Sequence, residues 1–457
     1  LIKKSFKKII IFDDDPTGSQ TVFNCTLLLK WNEDLLYKAF KESSKMLFLL
    51  VNTRALSPSL VEKRTKKICR SLLNILNKEK ISIEDILFIS RGDSTLRGHG
   101  VLEPFILNQA LGPFDATFHV PAFLEGGRTT VDGMHYLDGL PVHKTIFAKD
   151  KIFGYETSFL PAWLEAKSNG KIKESNVELI SIERLESAIN SKDGMNQLIN
   201  YLSNFNYNQQ SVVDAKTPAH IKIFSDAVRS LIHRKRFLFR SAASLINGLA
   251  NVTSSSNPIK DFSSFRLKND KGYHKPGLIV VGSHVQLAND QLQNLLLDKS
   301  CSGIEISVPK IARALEGSFA EYLISDLEKN WLSQLYQIID TNKTPVIYTS
   351  RKELNFQSSS LRLSFGLKLA EIIARLVSGI SQELGYLISK GGITTNAIML
   401  TGMQLESLHL LGQIIPGVSV VRSSKMNSND ALPVLTLPGN LGDKKTLLNL
   451  KNIMESS

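Results

Sequence analysis

The stretch IIIFDDDPTGSQTV, residues 9–22, decides the fold class of this chain. Its Ile-rich apolar run suits a strand buried on both faces of a parallel sheet. The run stops at three carboxylates, Asp13, Asp14 and Asp15, followed by a Pro-Thr-Gly turn. Adjacent anions repel one another, so such a triplet lowers stability unless cations, donors or a polar ligand engage it. Taken alone, the segment is explained equally well by a turn of Asp, Pro and Gly that caps a helix. Ligands of parallel sheets bind at strand C-terminal ends, however, and that is where the triplet falls.

Two further segments repeat the arrangement. FISRGDSTLRGHG, residues 88–100, is again an apolar run that delivers Arg91, Asp93, Ser94, Thr95 and Arg97. FHVPAFLEGGRTTVDGMHY, residues 118–136, crowds Glu125, Arg128, Thr129, Thr130 and Asp132 around the pair Gly126 and Gly127. Asn52 and Arg54 follow another apolar run, Leu47 to Val51, and fit the same sheet edge. Arginine forks suit a carboxylate better than lysine does, so Arg91, Arg97 and Arg128 are candidates to grip an acidic substrate. Ion pairs with Asp93, Glu125 or Asp132 are the plainer use of the same residues, and Asp93 with Ser94 also suits a helix N-cap.

These elements resemble the four-carbon acid sugar kinases. The resemblance rests on DDPTG at Asp14 to Gly18, DSTLRG at Asp93 to Gly98 and PAFLEGGRTT at Pro121 to Thr130, in that order. It continues through Val281-Gly282-Ser283-His284, Lys390-Gly391-Gly392-Ile393-Thr394 and Pro438-Gly439-Asn440-Leu441-Gly442-Asp443, and so spans nearly the whole chain. It implies an ATP-dependent kinase that phosphorylates the terminal hydroxyl of threonate, erythronate or 3-oxo-tetronate, with Mg2+ on the phosphates. The N-terminal domain would hold the acid, the C-terminal domain ATP, and the active site would lie in the interdomain cleft. Carried onto this sequence, Asp14 or Asp15 is the catalytic base. Thr17, Arg54, Arg91, Asp93, Ser94, Arg97, Glu125 and Arg128 bind substrate. Ser283, Gly391, Gly392, Ile393, Thr394, Gly439 and Asn440 contact the nucleotide. Many relatives have a small residue in place of Asp13, an acidic one in place of Ile393, and GSAGLA where this chain has Arg240-Ser241-Ala242-Ala243-Ser244.

The glycine segments carry their own physical reading. Lys390-Gly391-Gly392-Ile393-Thr394 follows an apolar run and precedes a helical pattern, and Pro438 to Asp443 is a second glycine turn before the helical residues 444–453. Glycine lets a phosphate approach backbone N–H groups at a helix start. The chain has neither GxxxxGK[ST] nor GxGxxG, so the common NTPase and dinucleotide architectures are not indicated.

At 457 residues, 42% hydrophobic and 21% charged, the chain can bury two separate cores. Runs of strand character alternate with helical patterns, as in Glu62 to Lys80, which predicts an α/β fold of two domains, each with a mainly parallel sheet flanked by helices. Residues 1–251 form the expected N-terminal domain and 277–457 the C-terminal one. The Ser-, Asn- and Lys-rich residues 252–276 are read as a linker. The formal charge of +12 is spread over solvated helix faces rather than a nucleic-acid motif, and it favours encounter with anions such as ATP and a sugar acid. No nucleic-acid or membrane partner is expected, and a homodimer is compatible with the sequence. No 18-residue apolar stretch exists, and Cys25, Cys69 and Cys301 suggest neither disulfides nor a zinc site, which predicts a cytoplasmic protein. Two other classes remain open: a non-catalytic sugar-acid-binding or regulatory protein with the same cleft, and a nicotinamide-dependent oxidoreductase, which the missing GxGxxG disfavours.

Overall fold

The computed structural model describes residues 6–15, 25–250, 261–351, 354–356, 358–424 and 431–456. The chain divides into two compact units, Leu1–Ser256 and Asn257–Ser457. No helix among the described residues is long and apolar enough to cross a membrane.

The strands of the first unit are β1 (Lys8–Asp13), β2 (Cys25–Leu28), β3 (Met46–Leu50), β4 (Ile86–Arg91), β5 (Ala116–Val120), β6 (Arg128–Val131), β7 (Met134–Leu137), β8 (Leu140–Pro141), β9 (Glu178–Ile180), β10 (Gln209–Val213) and β11 (Phe237–Ser241). Eight of them pair in the order β2-β3-β1-β4-β11-β5-β10-β9, every pairing parallel. The short β6, β7 and β8 make a separate antiparallel sheet. Helices cover both faces because alternate strand residues point to opposite sides. On one face Ile10, Leu47, Leu49, Phe88 and Leu238 pack under the helix Pro58–Lys78, whose Ile68, Leu72, Ile75 and Leu76 recur at helical spacing. On the other, Phe118 and Phe239 stack and meet Phe224 of the helix Pro218–Ser230.

The second unit contains β12 (Gly277–Val281), β13 (Cys301–Ile306), β14 (Thr344–Thr349), β15 (Tyr386–Lys390), β16 (Ser407–Ile415), β17 (Val418–Ser423) and β18 (Val434–Leu437). Their order is β13-β14-β12-β15-β18-β17-β16, parallel except that β17 runs against both of its neighbours. The turn at Pro416-Gly417, with Gly417 at φ +83°, reverses the chain between β16 and β17.

Part of the stretch read as a linker is folded. Phe262 joins the core of the second unit and Phe265 packs against it. Arg422 lies 4.7 Å over the Phe265 ring and donates to its carbonyl at 2.7 Å. Two aromatic residues in a polar context help dock residues 261–276, together with backbone hydrogen bonds that Leu267 and Pro276 make with Gly385, a contribution that average composition conceals.

In each unit the strand order reverses direction beside the first strand. β1 lies between β3 and β4, and β12 lies between β14 and β15. Open parallel sheets form their ligand crevice at such a switch point, outside the carboxyl ends of the strands.

Candidate functional site

Register levels the tips of the first sheet. Asp13 pairs with Leu50 and Arg91, Arg91 with Ser241, and Ser241 with Val120. The residues following β1, β3, β4, β11 and β5 therefore emerge side by side. Arg54 reaches from the turn after β3 and donates to Asp14 Oδ1 at 2.9 Å, with its other terminal nitrogen 3.0 Å from Asp15 Oδ2. Arg91 contacts Asp13 Oδ1 at 3.4 Å and Asp14 Oδ1 at 3.5 Å. Arg240, from β11, brings Nη2 to 3.9 Å from Asp14 Oδ2.

That set of cations answers the repulsion of the acidic triplet. Asp14 is 1% exposed, and its Oδ2 has no hydrogen-bond partner among the described residues. Gly98, at φ +94°, lies so close that a Cβ would come within 3.2 Å of that oxygen. The DSTLRG turn is tightly wound: Asp93 accepts from Thr95 N at 3.1 Å, Thr95 Oγ1 at 2.6 Å and Arg97 Nε at 2.7 Å. Leu96 adopts φ +63°, a costly conformation for a branched side chain, as expected where a turn is held for function. Ser94 is buried, and its carbonyl accepts from His135 Nε2 at 2.8 Å.

Electrostatics separates the acids. Burial pushes the Asp93 carboxyl up, but Arg97, Arg54 and the Thr95 hydrogen bonds outweigh it and hold the group well below the usual range. Burial raises Asp13 to about 7; Arg91 opposes the shift and Asp14 adds to it. Burial also acts to lower the Arg54 guanidinium, but Asp14, Asp15 and Asp93 overcome it and raise its pKa well above the ordinary value.

The Asp13 shift makes stability depend on pH. Its folded pKa of about 7 exceeds the ordinary 3.8, so between these values the folded state binds more protons than the unfolded one. Stability then falls as pH rises through that window and levels off above it. Asp13→Asn removes the dependence. The melting temperature of the variant, relative to the unsubstituted protein, should rise by several degrees, on the order of 2 kcal/mol, between about pH 5 and pH 8. A difference that stays flat across this range would contradict the assignment.

Two sequence candidates place their polar atoms elsewhere, although Asp93 and Arg97 still act on the Arg128 charge. Glu125 is exposed, and its carboxylate accepts from Ser244 Oγ at 2.6 Å. Arg128 is buried beneath Phe123, 5.7 Å from the ring, and donates to the Gly126 carbonyl. Thr17 lies outside the described residues. Two participants were not among the sequence candidates. Arg240 donates to Ser90 Oγ at 2.8 Å and forms a close ion pair with Glu103, which also accepts from Thr53 Oγ1. A Cβ on Gly92 would fall 2.0 Å from Arg240 Nη2, so the glycine of the Arg-Gly-Asp tip makes room for this guanidinium.

In the second unit, Val281 and Leu437 flank Lys390 in register, which levels the turns after β12, β15 and β18. The turns interlock. A Cβ on Gly282 would lie 2.0 Å from Thr394 Oγ1, one on Gly391 3.2 Å from Ser283 N, and one on Gly439 2.5 Å from Ser283 Oγ. Gly391 sits at φ +119° immediately before the helix Gly392–Ala397. Lys390 is fully buried and donates to the Pro438 carbonyl at 3.0 Å; burial alone pushes its ammonium down to about 7. Beside the turns opens a largely apolar cavity of about 210 Å3, bordered by Gly282, Phe356, Phe365, Ile373, Ile393 and Thr394. A mainly apolar pocket with a few polar groups at its mouth is the usual form of a small-molecule site. Of the nucleotide candidates, Ser283, Gly391, Thr394 and Gly439 are thus brought together, and Ile393 lines the cavity. Asn440 continues the same turn, partly exposed.

Comparison with known proteins follows the same division. A family model described as a sugar-binding N-terminal domain matches residues 9–249, and one described as a nucleotide-binding C-terminal domain matches residues 278–447. Among solved structures, a Salmonella typhimurium LT2 protein described provisionally as a tRNA synthase is 16% identical. That match covers 97% of this chain and 98% of the other, with a TM-score of 0.69. A Haemophilus influenzae protein of the DUF1537 family is 15% identical over 97% of this chain and 100% of its own, with a TM-score of 0.61. At such identities the likeness concerns the fold. No curated protein matches the chain.

Proposed function

The chain belongs to the four-carbon acid sugar kinase family, and on that premise we propose that it moves the terminal phosphoryl group of ATP to the 4-hydroxyl of a four-carbon sugar acid. Threonate, erythronate and 3-oxo-tetronate are the candidate acceptors. The observation that carries this reading is the buried Asp14 carboxylate, with one oxygen held by Arg54 and Arg91 and the other without a hydrogen bond among the described residues. Such a group can accept the proton of an alcohol as it attacks phosphorus. Asp15, turned toward Arg54, orients that guanidinium, while Arg54, Arg91 and Arg97 provide the cationic surroundings an acid substrate needs.

On the nucleotide side, the interlocked turns present backbone N–H groups to phosphate, with the apolar cavity beside them available to a base. Among the described residues no three imidazole, thiol or carboxylate groups converge to cage a metal. Phosphoryl transfer from ATP calls for Mg2+, which keeps waters and takes phosphate oxygens as ligands. When bound with ATP it would neutralise phosphate charge.

The direct test is a panel of four-carbon acids incubated with Mg-ATP, following ADP release and the mass of the product. ADP release with a gain of one phosphoryl group on one acid is expected; no release with any acid would refute the reading. The cradle makes a separate prediction. Gly391→Ala places a Cβ at a φ that only glycine adopts readily and against Ser283 N, so it should weaken Mg-ATP binding about tenfold or more in a calorimetric titration. Binding of the acid should be unchanged, and an unaltered ATP affinity would remove these turns from the nucleotide site.

A further inference from the structure

Beneath the DSTLRG turn is a small cavity of about 30 Å3, bordered by Asp93, Leu96, Arg97, His119, Trp163 and Arg240. It has room for one or two water-sized groups, enough for the end of a small molecule but not for a whole four-carbon acid. Two of its lining residues, Arg240 and His119, belong to a polar row in the middle of the sheet. Ser90, Arg240 and His119 are in register on β4, β11 and β5, and so point to the same face. Burying such a row is costly unless each group is partnered.

Two members of the cavity wall are not. His119, 4% exposed, has Nε2 2.9 Å from Gln210 Oε1, while its Nδ1 has no partner among the described residues. The amide orientation is fixed because Gln210 Nε2 donates to the Asn208 carbonyl at 2.8 Å. The histidine therefore donates through Nε2, and Nδ1 is left as an acceptor. Burial lowers the ring to about 4, with Arg240 acting in the same direction, so it is neutral at pH 7. Trp163, also 4% exposed, has an indole N–H with no partner among the described residues. Its ring edge fits only because residue 100 is glycine, where a Cβ would fall 2.5 Å from the ring.

Two residues that line a space the size of a small group thus each carry a buried polar atom without a partner among the described residues, one an acceptor and one a donor. A hydroxyl answers both at once, donating to Nδ1 and accepting from the indole N–H. We propose that His119 and Trp163 are the specificity residues of the sugar-acid site, binding one hydroxyl of the substrate in this cavity. The inference rests on the sugar-acid reading above and adds which residues recognise the hydroxyl pattern.

The test is calorimetric binding of tetronates and of the two deoxy analogues, 3,4-dihydroxybutanoate and 2,4-dihydroxybutanoate, without ATP. The variants are Trp163→Phe, which keeps the ring and removes the N–H, and His119→Gln, which keeps an amide toward Gln210 and removes the Nδ1 acceptor. Each variant should lose about 10- to 100-fold in affinity for the tetronate that binds. Against the one analogue that lacks the recognised hydroxyl, each should lose less than about twofold, because the interaction is already gone. Equal losses on all three ligands, or no loss on any, would show that the cavity holds only a structural water and would overturn the proposal. So would failure of the unsubstituted protein to bind any of these acids. Intact acid binding without ADP release overturns the kinase reading alone.

Discussion

Asp14→Asn should lower turnover by about 10²- to 10⁴-fold, the range expected when a positioned general base is removed. The amide keeps the shape of the carboxylate but cannot take the alcohol proton. It also reduces the charge that Arg54, Arg91 and Arg240 surround, so the free cations would still attract the acid. The loss should therefore fall on kcat, with KM for the acid changed by less than about tenfold. Asp15→Asn is the informative control. Asp15 pairs with Arg54 and is more exposed, so its loss should be felt mainly in KM. If Asp14→Asn kept turnover and Asp15→Asn abolished it, the two roles would be reversed.

The second large effect concerns stability. Arg240→Met should destabilise the first unit by about 3–5 kcal/mol, because it leaves the Glu103 carboxylate buried with, among the described residues, only the Thr53 hydroxyl as a close partner. That corresponds to a fall of about 10 °C or more in the melting temperature of this unit. Replacing Glu103 as well, in Arg240→Met with Glu103→Met, should restore a large part of the loss, since no unpaired charge remains. Additive losses in the double variant would mean that packing of the long side chains, rather than the ion pair, sets the cost.

The parts of the site that could be read from the sequence are those in which chemistry and chain position coincide. Asp13 to Asp15, Arg91 to Arg97 and Lys390 to Thr394 each follow an apolar run directly, so the strand itself announces the site. Arg240 also follows an apolar run, Phe237 to Phe239, but nothing in the sequence marked its partners. It sits inside the strand sequence FLFRS, 137 residues from Glu103 and 150 from Ser90, and only the register of β11 between β4 and β5 brings the three together. The pairing of Arg91 with Asp13 was hidden for the same reason, because strand order is set by packing of the whole sheet. The surroundings of Glu125 and Arg128 were hidden as well: the tight turn at Gly126 and Gly127 directs one side chain to Ser244 and folds the other under Phe123. In the second unit, the parallel pattern concealed the β16–β17 hairpin, where a Pro-Gly turn between two β-branched runs was the available signal.

The most direct measurement of the central claim follows the fate of ATP labelled in its γ-phosphoryl group. With the preferred four-carbon acid, the label should appear on the terminal oxygen of the acid in amounts equal to the ADP formed, and Asp14→Asn should suppress both together. Label released as pyrophosphate with AMP, as in an acid-activating ligase, or ADP formed without label on the acid, would contradict the account.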